Sequence, residues 1–322
     1  MDNFPWYEWQ HLQGKRINAI DRERAIVLVT CSPIEVHGPH LPTVTDICEA
    51  EGLARRTAEI LHERAPGRIF LHLPPIYVAA DVLPHVGSLM FRSSTITAVI
   101  EDLGRSLVRQ GFRDIWINSF HGGPRHFVPI EVACDRVNRR FDGRMVSVFS
   151  LLLNRLTGGS TDLTGVLGHV NGVHASDLVG DAHGGVVETS MMLHLLGQHV
   201  DPCWRELDHR TLDLKLAAAG KATVNDKVRP TLPQLMRGFK EKIKYYEDET
   251  WSGKPAVAAE ALGAEFLDIL SGHCADALAE LLDGRRSPEE CYSPLWKARW
   301  LFTSRTVGWA FEKAVRYRQR VW

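Results

Sequence analysis

The chain has 322 residues, 44% of them hydrophobic and 24% charged, which suffices to bury a core in one elaborated domain or two smaller ones. Lys and Arg (38) balance Asp and Glu (39) to a net charge of −1, so no electrostatic argument points to nucleic acid or an anionic membrane as partner. The N-terminus lacks the basic-then-apolar layout of a secretory signal, and no apolar run approaches the ~18–20 residues that span a bilayer. Six dispersed cysteines without a C-x-x-C pair read as free thiols of a cytoplasmic protein.

Short apolar runs alternate with amphipathic stretches, the pattern of an α/β domain with a mostly parallel sheet. Residues 25–30 (AIVLVT) are β-branched and too short for a helix, so they read as a buried strand. An amphipathic, alanine-rich helix follows at 45–62, then a strand at 69–73 that stops at Pro74 and Pro75. Residues 94–110 read as a helix with Ser and Thr at its start to cap it and Gly111 to end it. A third strand is predicted at 114–118, a helix at 124–139 and a fourth strand at 145–149. Residues 152–181, rich in Gly, Thr and Ser, read as a long loop, which in a compact domain is more often functional than idle. A helix is predicted at 186–196, charged helical spacing runs through 201–250, and 256–282 is another long helix. The last segment, 287–322, is rich in Trp and Arg; neither repeat nor linker is visible.

Three segments place metal-competent side chains just past a strand, where open parallel sheets bind ligands. In the first, Glu35 and His37 are two apart and share a direction in extended chain, while Asp46 falls at the start of the next helix. A carboxylate there can bridge two cations or serve only as a helix N-terminal acid. The second is Asn118-Ser119-Phe120-His121-Gly122-Gly123-Pro124, a strand end turning into a helix without a phosphate-loop or dinucleotide fingerprint. The third is His183-Gly184-Gly185-Val186-Val187-Glu188, in which His183 precedes a helix and Glu188 lies one turn inside it. Together these residues suit divalent ions such as Zn²⁺ or Mn²⁺. No Gly-x-Ser-x-Gly elbow is present, and Cys31 reads as a buried strand-end thiol rather than a nucleophile.

In this order and at these intervals the three segments resemble the signatures of the creatininase (creatinine amidohydrolase) family. The likeness runs from about Trp6 to Leu282 and includes His85-Val86-Gly87-Ser88 in a substrate-loop position and Gly253-Lys254-Pro255 before the last core helix. It implies a three-layer α/β/α fold over residues 1–286, with 287–322 an extension packed on the core or at a subunit interface. It further implies two divalent ions, Zn²⁺ or Mn²⁺ with Fe²⁺ as a third option. Glu35, Asp46 and His121 would hold one ion, and His37 with a bridging Asp46 the other. In creatininase itself the second ion takes a Glu two residues past the His-Gly-Gly histidine. That position here is Gly123, so Glu188 is the candidate replacement, or else a carboxylate of the surrounding shell. His183 is the expected proton shuttle, with Glu188 beside it as a catalytic group. His85, Arg125 and Asp181 are expected to meet substrate, although Arg125 and His126 read equally as a solvated helix start.

The expected reaction is hydrolysis of a non-peptide C–N bond in a cyclic amide, formamide or small amide, by attack of a metal-bridging hydroxide. The resemblance also implies a homo-oligomer, as large as a hexamer. Rival readings are a non-catalytic scaffold or binding protein, a one-metal hydrolase, and a hydrolase that trims a short peptide.

Overall fold

The computed structural model describes residues 4–157, 164–224 and 232–315. Five parallel strands, β1 (Trp6–Glu8), β2 (Ala25–Thr30), β3 (Ile69–His72), β4 (Asp114–Asn118) and β5 (Arg144–Ser147), form one sheet in the order β1-β3-β2-β4-β5. The register sets Ile26 beside both Phe70 and Asp114, and Leu28 beside His72 and Trp116. The helices of the first half are α1 (Gly14–Asn18), α2 (Thr45–Arg64), α3 (Ser93–Arg109), α4 (Pro124–Arg140), α5 (Val148–Thr157) and α6 (Thr164–Leu167). Those of the second half are α7 (Val186–Leu196), α8 (Leu212–Ala218), α9 (Leu232–Asp248), α10 (Glu260–Leu282), α11 (Arg299–Thr303) and α12 (Arg305–Val315).

Strand alternation divides the buried sheet between two cores. Ile26, Leu28, Phe70, Trp116 and Val146 face one, which α2, α5, α7 and α10 cover. Ala25, Val27, Val29, Leu71, Ile115, Ile117 and Met145 face the other, covered by α3 and α4. The result is the three-layer α/β/α fold expected from the sequence.

Departures from the expected elements are local. β1 was not foreseen, because three residues are too few to show an alternation; it pairs with β3 at the sheet edge. The strand expected at 145–149 stops at Ser147, and Val148 and Phe149 open α5 instead. Over five largely apolar residues a buried strand and a buried helix look alike. The loop expected at 152–181 is partly helical: α5 runs to Thr157, α6 follows, and Ala175–Asp177 make a 3₁₀ turn. Residues 158–163 of that loop lie outside the described residues. α3 starts without a side-chain cap because Arg92 takes the N-cap position; Ser93, one residue inside, donates its hydroxyl to the Arg125 carbonyl (2.8 Å).

The segment after α10 lies along α4. The Ser293 amide donates to Glu131 Oε1, the Tyr292 hydroxyl donates to Asp135 Oδ1 (3.1 Å), and Leu295 and Phe302 pack on Phe127, Val128, Phe149 and Leu153. Its last residues, 316–322, lie outside the described part. None of the six cysteines is paired, and no helix among the described residues is long and apolar enough to cross a membrane.

Candidate metal centre

The chain leaves β2 for β3 through α2 on one face of the sheet, and leaves β4 for β5 through α4 on the other. The neighbours β2 and β4 therefore send their connections apart, and a crevice opens past their carboxyl ends, where such sheets bind ligands. Glu35 and His37 follow β2, His121 follows β4, and Asp46 stands in the first turn of α2. The α7 start brings Glu188 to the same crevice.

Each of the two ligand-type histidines is fixed by a backbone carbonyl. His37 Nδ1 lies 3.1 Å from the Glu35 carbonyl, and His121 Nε2 lies 3.0 Å from the Ala80 carbonyl. A carbonyl only accepts, so those nitrogens carry a proton and the opposite nitrogens face the crevice. There they meet carboxylates. His121 Nδ1 is 3.1 Å from Glu35 Oε2 and 3.7 Å from Asp46 Oδ1. His37 Nε2 is 3.4 Å from Asp46 Oδ2 and 3.7 Å from Glu188 Oε2. Among the described residues, ligand atoms of Glu35, Asp46 and His121 fall within 4.8 Å of one another, as do those of His37, Asp46 and Glu188, and those of Glu35, His37 and His183. Asp46 belongs to the first two of these groups and turns Oδ1 to His121 and Oδ2 to His37.

Acceptors crowded together in this way require a cation or protons between them. Glu35 Oε2, His37 Nε2 and Asp46 Oδ2 are buried and have no hydrogen-bond partner. Burial pushes Asp46 up to about 7. Burial, joined by the Asp46 charge, holds Glu188 well above the ordinary carboxylate range. His121 is held well above the ordinary imidazole range because Glu35 and Asp46 outweigh its burial. Burial and the His183 charge hold His37 well below it. This donor set, of two imidazoles and three carboxylates with orphaned atoms facing inward, fits divalent ions of the Zn²⁺ or Mn²⁺ kind.

His183 stacks on His37 with ring centroids 3.9 Å apart, and its Nε2 lies 2.8 Å from the Val36 carbonyl. His85 is turned to α9, with Nε2 2.9 Å from the Tyr246 carbonyl. Arg125 pairs with Asp81 through its amide and its Nε, and His126 is fully buried, with Nε2 3.0 Å from the Cys31 carbonyl. His126 is therefore no solvated helix start; its ring packs edge-on to His121 at 5.2 Å and braces it from behind. Asp181 accepts from the Val186 and Val187 amides (2.7 and 3.0 Å), so both its oxygens hold the start of α7. The Gly184 turn before it has φ +58°, a left-handed conformation that glycine adopts without strain, and the Gly184 amide donates to Glu188. Cys31 is buried, with Sγ 3.3 Å from the Val78 carbonyl, and burial pushes its thiol up to about 12.

The creatininase family pattern, described as creatinine amidohydrolase, matches residues 10–281. The chain belongs to the creatininase family. Solved structures share its fold at low identity. The manganese form of creatininase is 18% identical, with a TM-score of 0.55 over 85% of this chain and 97% of that one. A Bacteroides fragilis protein provisionally named a creatinine amidohydrolase is 20% identical, with a TM-score of 0.60 over 85% and 96%. The zinc–zinc form of a creatininase point mutant is 18% identical, with a TM-score of 0.54 over 85% and 97%. No curated protein matches the chain significantly. The family match ends at residue 281, in the last turn of α10.

Three features of the site escaped the sequence reading. Glu49, one turn beyond Asp46 on α2, is fully buried with neither oxygen hydrogen-bonded; its i+3 spacing from Asp46 was the available signal. Asp81 adopts φ +62°, rare outside glycine, beside the metal-ligand cluster. Helix α9 forms a wall of the crevice, with the Tyr246 ring edge-on to His183 at 5.8 Å.

Proposed function

We propose that this protein is a two-metal amidohydrolase cleaving a non-peptide C–N bond in a cyclic amide, a formamide or another small amide. The observation that supports this reading is the placement of Asp46, with Oδ1 turned to His121 and Oδ2 to His37. Glu35, Asp46 and His121 would hold one divalent ion, and His37, Asp46 and Glu188 the other, with Zn²⁺ and Mn²⁺ ahead of Fe²⁺ as candidates. When bound, such ions supply an activated water and polarise the substrate carbonyl.

The chain's own groups orient the substrate and move the proton. Because His183 Nε2 donates to the Val36 carbonyl, Nδ1 is the nitrogen free to take a proton. Burial, with the charges of His121 and Lys242, holds the ring below ordinary basicity, which suits it to pass that proton to the leaving nitrogen. Glu188 lies beside His37 and is the second group able to accept a proton there. His85 secures α9 over the crevice, and the Asp81–Arg125 pair edges it.

A turnover screen of the full chain, reconstituted with Zn²⁺ or Mn²⁺, against cyclic amides, formamides and small amides tests the proposal. The expected result is about two ions per chain and, for at least one class, ring opening or release of amine or formate. A chain that binds no ion and releases nothing supports the scaffold reading instead.

A further inference from the structure

We propose that Lys242 is the receptor for an anionic group of the substrate, a carboxylate or a phosphate, held across the crevice from the metal-ligand cluster. The inference deepens the amidohydrolase reading and rests on it. Lys242 and Tyr246 are four residues apart on α9 and so occupy the same helix face, with Cβ atoms ~5–6 Å apart. That face is the one turned to the site, since the Tyr246 ring packs edge-on to His183 and its carbonyl meets His85 Nε2 at 2.9 Å. Lys240 and Lys244, two residues to either side, fall on other faces.

Lys242 is exposed to solvent on that face. Its charge is felt at both His183 and Asp81. No acid among the described residues pairs with it. The acid at hand, Asp81, has both oxygens engaged by Arg125. An ammonium on the helix face turned to the reacting groups, whose neighbouring carboxylate is engaged elsewhere, is left to pair with what enters. A lysine serves here better than an arginine would for a single anionic oxygen, because it acts as a compact charge on a flexible stem.

The test uses the full Mn²⁺-treated chain and matched probes: N-formyl-β-alanine, N-formyl-2-aminoethyl phosphate and the neutral N-formyl-β-alaninamide. Binding is measured by equilibrium dialysis, and formate release separately. The wild-type chain is expected to bind one of the two anionic probes about tenfold or more tightly than the neutral one, the tighter naming carboxylate or phosphate. Lys242→Met is expected to reduce that preference to within about twofold, and Lys242→Arg to keep most of it. Metal content and affinity for the neutral probe should stay unchanged in both variants. Anionic probes that bind no tighter than the neutral one, or a preference that survives in Lys242→Met, would overturn the assignment. Since binding is read without turnover, absence of formate release counts against the formamide option of the amidohydrolase reading, while the dialysis alone decides the role of Lys242.

Discussion

Asp81 stands where a side chain at position 123 would have to go: a methyl group on Gly123 would lie 2.5 Å from Asp81 Cβ and 2.7 Å from His121 Nε2. The carboxylate that creatininase carries two residues past its His-Gly-Gly histidine therefore has no room here, and Glu188 reaches the same cluster from α7. Gly123→Ala should destabilise the chain by about 1–3 kcal/mol through overpacking. Combined with Asp81→Gly, the loss should be smaller than the sum of the single losses, because the second change removes the obstructing atom. Urea unfolding of the four proteins measures this, and strictly additive losses would show that crowding does not keep position 123 bare.

Glu188→Gln should separate the two halves of the centre. Glu35, Asp46 and His121 remain, so metal content should fall from about two ions to about one, with turnover down at least 100-fold. Plasma emission spectrometry on dialysed protein gives the count. Two ions retained in the variant would show that Glu188 is not a ligand.

Changing His183 should spare the metals. It clusters with Glu35 and His37 but shares neither group that contains Asp46, and its Nε2 is taken by the Val36 carbonyl, so His183→Ala should keep its ions while kcat drops by roughly 10²–10⁴-fold. Steady-state kinetics beside metal analysis checks this; an unchanged kcat would assign the proton step to another group.

The C-terminal segment is fastened through a buried acid whose titration is measurable. Burial pushes Glu131 up to about 7 from an ordinary 4.5, although the Ser293 amide opposes this. The folded chain thus holds a proton that the unfolded chain releases between about 4.5 and 7, so this group's contribution to stability falls as pH rises through that window. Glu131→Gln keeps the acceptor for Ser293 and removes the charge. Its stability relative to wild type should rise by on the order of 2–3 kcal/mol from pH 5 to pH 8. Denaturant unfolding at both pH values tests this; a flat difference would mean that Glu131 does not titrate in this range.

The extent of each element was legible where a strong local pattern coincided with its tertiary use. The run 25–30 is β-branched because it is buried on both faces, and it forms β2 over the same residues. Helix α7 matched at both ends because the His183 turn and Gly197 punctuate it. Glu35, His37, Asp46, His121 and Glu188 were visible because strand ends and helix starts are where a parallel sheet gathers ligands. The α9 wall was not visible: Lys242 and Tyr246 read as an ordinary charged helix, and only the packing of Tyr246 on His183 turns them to the site. Asp81 was hidden for a different reason, since its left-handed backbone and its pairing with Arg125 leave no mark in the sequence around it.

The central claim is that one carboxylate serves two ions, and Asp46→Ala with metal analysis tests it most directly. The account predicts that content falls from about two ions per chain to none at micromolar free metal and that turnover is lost with it, while the fold survives by circular dichroism. A variant that keeps either ion at full occupancy, or full turnover, would contradict it.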